Sequence, residues 1–174
     1  MITSNSIIGN VNHDKNLNEN YQQLCARQSC EKISISRLES QRARMRKITD
    51  KGTDVAIVLP PGTTIRNGDV IFFDKDRIIL MELQPESVAI IEMKDYLLEH
   101  DNHSFGTAVR LGHTLGNLHR PIKINDHKIY VPIQADSEIE TLHNLFGPIN
   151  DHLTITKSKM VFEAEEGLEN HEHA

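Results

Sequence analysis

The sequence predicts an α+β protein of two domains: an all-β N-terminal domain, then a C-terminal domain with the element order β-α-β-β-α-β, ending in a flexible tail that carries histidines. Three observations predict it. Between residues 33 and 84, short apolar runs alternate with turn chemistry; after Pro85, apolar residues recur at helical as well as strand spacing; the last stretch, EAEEGLENHEHA, holds five Glu and neither Lys nor Arg. The boundaries drawn from these shifts are 1–84, 85–162 and 163–174.

In the N-terminal region DVAIVL (54–59) is a short apolar run, followed by turn residues in PPGT (60–63) and RNGD (66–69). VIFF (70–73) and RIILMEL (77–83) read as strands joined through Asp74, Lys75 and Asp76. Short strands separated by turns give the all-β expectation.

Beyond Pro85, SVAIIEM (87–93) reads as a strand, and Ser104 is the expected N-cap of a helix. Ala108, Leu111, Gly112 and Leu115 fall at i, i+3, i+4 and i+7, one face of that helix. Gly116 and Asn117 can adopt the left-handed conformation that closes it, and Pro121 holds Arg120 extended. PIKI (121–124) and KIYVPI (128–133) flank Asn125-Asp126-His127 as a hairpin. Ser137 is the expected cap of a second helix through Phe146, with Ile139, Leu142, Leu145 and Phe146 as its inward candidates. Gly147-Pro148 ends it, and LTITKSKMVF (153–162) alternates as a last strand. This order is the split βαβ of ferredoxin-like domains.

The totals narrow the function. With 174 residues, 38% hydrophobic, and no Trp, the cores must be aliphatic. No run of about 18 apolar residues exists and the start, MITSNSIIGN, lacks the basic and apolar segments of a secretion signal, so a soluble cytoplasmic protein without a membrane partner is expected. A net charge of -6 argues against nucleic acid, whose phosphates demand clustered cations. One basic block runs from Arg37 through Arg42, Arg44, Arg46 and Lys47 to Lys51; it reads as a solvated face, or as a docking patch for an acidic partner. Cys25 and Cys30 have no second pair to build a thiolate metal site and are expected as reduced thiols.

Ten histidines are a large share, and imidazole is the commonest metal ligand. His119 stands at a corner, after a Gly-Asn pair and ahead of Pro121. One imidazole makes a poor site, because a divalent ion takes four to six donors. Two copies meeting on a two-fold axis would present His119 twice at one point, and a tethered tail with His171 and His173 would add donors. His113 and His127 are weaker candidates; His13, His100, His103, His143 and His152 have no usable spacing. No GxSxG, HExxH or phosphate loop is present, so the chain is not expected to be an enzyme.

The stretch LGNLHRPIKI resembles the LGNRHxPxxI signature of the urease accessory protein UreE family, and KGTDVAIVLPPGTTIRNGDVI (51–71), the βαββαβ order and the histidine-bearing tail are similar to that family's layout. The resemblance implies a homodimeric nickel metallochaperone that binds Ni(II) through His119 of both subunits, with His171 and His173 in support. Zn(II) or Cu(II) would bind in vitro, since imidazole accepts all three. The implied partners are the urease apoprotein and accessory proteins including a GTPase, with the N-terminal domain engaging them. The usual arginine of the signature is Leu118 here. The alternative is an interaction module whose β domain binds a client and whose histidines are incidental.

Overall fold

The computed structural model describes residues 1–94 and 101–163, with the backbone alone for 101–104. The chain divides into two compact units, Met1–Gln84 and Pro85–Ala174.

The first unit contains β1 (Ile2–Ser4), β2 (Gly9–Asn10), α1 (Lys15–Ala26), β3 (Cys30–Ile35), α2 (Arg37–Ser40), β4 (Arg44–Ile48), β5 (Asp54–Val58), β6 (Asp69–Phe73) and β7 (Ile78–Leu83). They form two sheets, β1-β5-β4 and β2-β6-β7-β3. The all-β expectation is corrected by α1, a 12-residue helix. Asp14 caps it, accepting from the Leu17 amide at 3.0 Å. Leu17, Tyr21 and Leu24, spaced at i, i+4 and i+7, pack on Val70, Ile78 and Leu80. The reason lies in β7. Ile78 and Leu80 point to α1, while Ile79 and Met81 on the opposite face are fully buried as well. A strand covered on both faces is a continuous apolar run, and it needs a second layer.

Past α1 the chain turns through Gln28, at φ 58, with the Ser29 amide donating to the Leu24 carbonyl at 2.8 Å. This tight turn brings the Cα atoms of Cys25 and Cys30 to 4.8 Å, and the two are joined as a disulfide. The reduced-thiol expectation is corrected accordingly: the spacing of five hides how closely the turn folds them together.

The second unit contains β8 (Glu86–Met93), α3 (Asp101–Asn117), β9 (Lys123–Asn125), β10 (Lys128–Pro132), α4 (Ser137–Phe146), a 3-10 segment (Gly147–His152) and β11 (Leu153–Met160). Its sheet is antiparallel in the order β11-β8-β10-β9. Leu111 and Leu115 of α3 and Leu142 and Phe146 of α4 bury themselves with Ala89 and Ile91 of β8 and Val131 of β10. Both helices therefore cover one face of the sheet.

Four local expectations shift here. Ser104 lies inside α3, which already includes Asp101. The buried stripe of α3 is Thr107, Leu111 and Leu115, joined by Leu118, whereas Ala108 and Gly112 face outward. Leucine and threonine carry more apolar area than alanine and glycine, so their side sets the rotation of the helix. Ser137 is the first residue of α4 and Asp136 its N-cap, with no side-chain cap bond. Leu145 stays 46% exposed, so only Leu142 and Phe146 of the inward candidates are fully buried.

Candidate metal centre

His119 follows the last turn of α3. The Leu118 amide donates to the Leu115 carbonyl at 3.0 Å and the His119 amide to Gly116 at 3.2 Å, so the chain is still coiling when it reaches the histidine. There it reverses: His119 has φ 48, the left-handed region that closes helices. Gly116 and Asn117, the expected reversal points, remain helical. A non-glycine residue in that region costs about 1 kcal/mol, and such strain persists where the surroundings over-determine it.

The surroundings are identifiable. Leu118, just before the corner, packs into the core of the second unit, and Ile122, just after it, does the same. Pro121 limits Arg120 to an extended backbone. The Arg120 guanidinium pairs with Oε2 of Glu138 and donates to the Pro132 carbonyl at 3.4 Å. The other oxygen of Glu138 accepts from the amides of Gln134, at 2.6 Å, and Ala135, at 3.0 Å. Burial raises the Glu138 pKa, but the Arg120 bond and the two amides outweigh it and leave the carboxyl below its usual value. His119 itself is exposed to solvent between these anchored neighbours.

The other histidines are scattered. The Nε2 of His113 lies 3.3 Å from Nδ2 of Asn117 on the outer side of α3. His127, at φ 63, and Asp126, at φ 48, are the two loop residues between Asn125 and Lys128, the backbone of a type I′ hairpin. The Nδ1 of His143 lies 2.7 Å from Oδ1 of Asn150. His152 closes the 3-10 segment. His100, His171 and His173 lie outside the described residues. Among the described residues no group of three or more His, Cys, Asp or Glu side chains is placed to hold a metal ion.

The basic block is spread over α2, β4 and the turns that follow each of them. Arg46 makes two bonds to Asp54, at 2.9 and 2.8 Å, Lys47 meets Glu39 at 2.6 Å, and the Lys51 ammonium donates to the Gln28 carbonyl. Several of its charges are thus engaged within the unit. Arg42 and Arg44 are exposed.

Comparison with known proteins places the chain in a family. Residues 5–84, nearly the whole first unit, match the N-terminal domain of the UreE urease accessory protein. A urease accessory protein UreE of Natronomonas pharaonis is 32% identical over 136 residues, covering 76% of this chain. The chain belongs to the UreE family. Another UreE, from Burkholderia ambifaria, is 35% identical over 95 residues, 55% of this chain, and one from Yersinia aldovae is 24% identical along 99% of it. The chain spans 60% of the Natronomonas UreE, 42% of the Burkholderia one and 80% of the Yersinia one. These UreE relatives are named as accessory proteins and not as catalysts. No described helix is long and apolar enough to cross a membrane.

For a UreE chain, the position of Leu118 is informative. Its side chain packs against the core of the second unit, and the guanidinium next along the chain after the histidine is that of Arg120, paired with Glu138. Arg120 and Glu138 are the residues that reading the sequence missed. A charged residue between a corner histidine and a proline, with a glutamate in the first turn of the next helix, was the available signal.

Proposed function

We propose that the protein is a nickel metallochaperone for urease assembly, carrying Ni(II) as cargo between the His119 imidazoles of two subunits. The observation that carries this is the placement of His119, exposed and left-handed at the corner after α3 in a UreE-family chain. An imidazole at a surface corner can reach its own symmetry copy, whereas one within a helix face would be shielded by its neighbours. A single imidazole supplies one donor where a divalent ion takes several, so the reading calls for a second chain at the site. On the same helix Phe105 and Val109, one turn apart and 73% and 55% exposed, give an apolar surface suited to a second copy.

Residues 85–162 then form the metal-binding and dimerisation domain. The strand order β11-β8-β10-β9, fourth-first-third-second within the unit, supports a ferredoxin-like reading. Residues 1–84 form the domain that engages the urease apoprotein and accessory proteins, among them the GTPase. The tail, 163–174, supplies His171 and His173 as supplementary ligands, and the complex works in the cytoplasm. Nickel is favoured over zinc and copper by the family membership, because the chemistry of imidazole does not choose between them.

Metal stoichiometry measured together with oligomer mass tests this reading. The expected result is one nickel per dimer for the parent, and a dimer without that nickel for His119→Ala. Full nickel loading in His119→Ala, or binding weaker than about 100 μM in the parent, only about 5.5 kcal/mol, would overturn it.

A further inference from the structure

The segment between α3 and β9 has no ladder of its own, since β9 begins only at Lys123. Leu118 and Ile122 hold it from below by packing, but apolar contact is non-directional and does not set the angle of a backbone. A directional restraint is provided one residue from the imidazole. The Arg120 side chain is 37% exposed and the Glu138 side chain 18%. The two oxygens of Glu138 bind different groups, Oε2 the guanidinium and Oε1 the Gln134 and Ala135 amides ahead of α4. The histidine corner is thereby tied to the loop between β10 and α4, across 18 residues of sequence.

We propose that the Arg120–Glu138 ion pair is a positioning device for nickel, fixing the direction in which the His119 imidazole leaves the surface. The inference rests on the reading of His119 as the nickel ligand and adds residues that set its aim. Arg120 and His119 are consecutive, so a turn of the peptide between them moves both side chains. His119 is held in a left-handed conformation that most residues avoid, and relaxation would swing the ring away. In a symmetric site the error is doubled, because both imidazoles turn together. The donor fork of arginine also restricts the plane of the pair, which a lysine ammonium cannot do.

The test uses the full-length dimer and nickel chloride titrated calorimetrically. Arg120→Ala and Glu138→Gln are each expected to weaken nickel binding about tenfold, the range found when groups behind a metal ligand are removed. The double variant is expected to be no weaker than the worse single one, because both act through one pair. Arg120→Lys should recover part of the loss. In a His119→Ala background, Arg120→Ala should change residual nickel binding by less than twofold. Leu142→Ala is the control for stability alone: it should lower the urea midpoint while the folded dimer binds nickel as the parent does.

Parent-like affinity in both Arg120→Ala and Glu138→Gln, with His119→Ala still abolishing binding, would overturn the positioning role and leave the nickel reading intact. Parent-like affinity in His119→Ala would overturn the nickel reading and this proposal with it. Should Arg120→Ala fail to fold, Glu138→Gln decides, since its amide oxygen still serves Gln134 and Ala135.

Discussion

The Lys47 ammonium lies 2.6 Å from Oε1 of Glu39, while the other carboxylate oxygen of Glu39 accepts from the Ser36 amide at 3.0 Å. One carboxylate thus closes the capping box of α2 and binds α2 to β4. The Lys47 bond, then the Ser36 amide, lower the Glu39 pKa from 4.5 to about 2 against a smaller opposing effect of burial. Because the folded-state value is depressed, Glu39 stabilises the fold above pH 4.5 and loses that contribution as pH falls toward 2. The pair is a quarter exposed, so its worth is about 1 kcal/mol. Glu39→Gln should be less stable than the parent by about that amount at pH 7, with the two converging near pH 2, as read from urea midpoints across pH.

At His119, φ 48 separates the role of the ring from that of the backbone. His119→Gly should be more stable than His119→Ala by about 1 kcal/mol, since only glycine enters that region without a Cβ penalty. Both should lose nickel binding equally. Urea unfolding supplies the first comparison and calorimetry the second; an alanine variant as stable as the glycine one would contradict the strained corner.

The hairpin loop carries the same geometry without the proposed function. Both central residues, Asp126 and His127, have positive φ, the arrangement that asparagine-glycine usually fills. His127→Gly should raise stability by about 0.5 to 1 kcal/mol and leave nickel affinity unchanged. A loss of affinity in this variant would make His127 a ligand.

Leu115 is 3% exposed among β8, β10 and α4 side chains, four residues before His119. Leu115→Ala should cost about 2 to 5 kcal/mol through lost burial and the cavity left behind. Thermal unfolding followed by circular dichroism measures it, and a cost below about 1 kcal/mol would mean that α3 is not seated as described.

Removing the tail histidines, His171→Ala with His173→Ala, should weaken nickel binding several-fold with the dimer mass unchanged. Sedimentation alongside calorimetry checks both halves of that expectation.

What could be read along the chain was what local chemistry decides. The strand-like runs SVAIIEM and KIYVPI and the alternation of LTITKSKMVF, with Asn125 to His127 between two strands, announced β8, β10, β11 and the hairpin. The corner at His119 was legible too, because Gly116, Asn117 and Pro121 bracket it. Even α1 left a trace, Asp14 ahead of Leu17, Tyr21 and Leu24, but among so many polar residues it was too faint to outweigh the strands that follow.

The rest waited for the tertiary structure. Which side of α3 turns inward was settled by the sheet it covers, which took Thr107 and Leu118 in preference to Ala108 and Gly112. The left-handed residue became His119 because the helix could keep coiling while Leu118 found core to bury in. The Cys25–Cys30 bond followed from one turn at Gln28, and the Arg120–Glu138 pair from the segment after α3 meeting the first turn of α4. Periodicity and turn residues act over a few neighbours, whereas these contacts depend on how distant segments are brought together. The sequence carries the residues for them without marking which ones will meet.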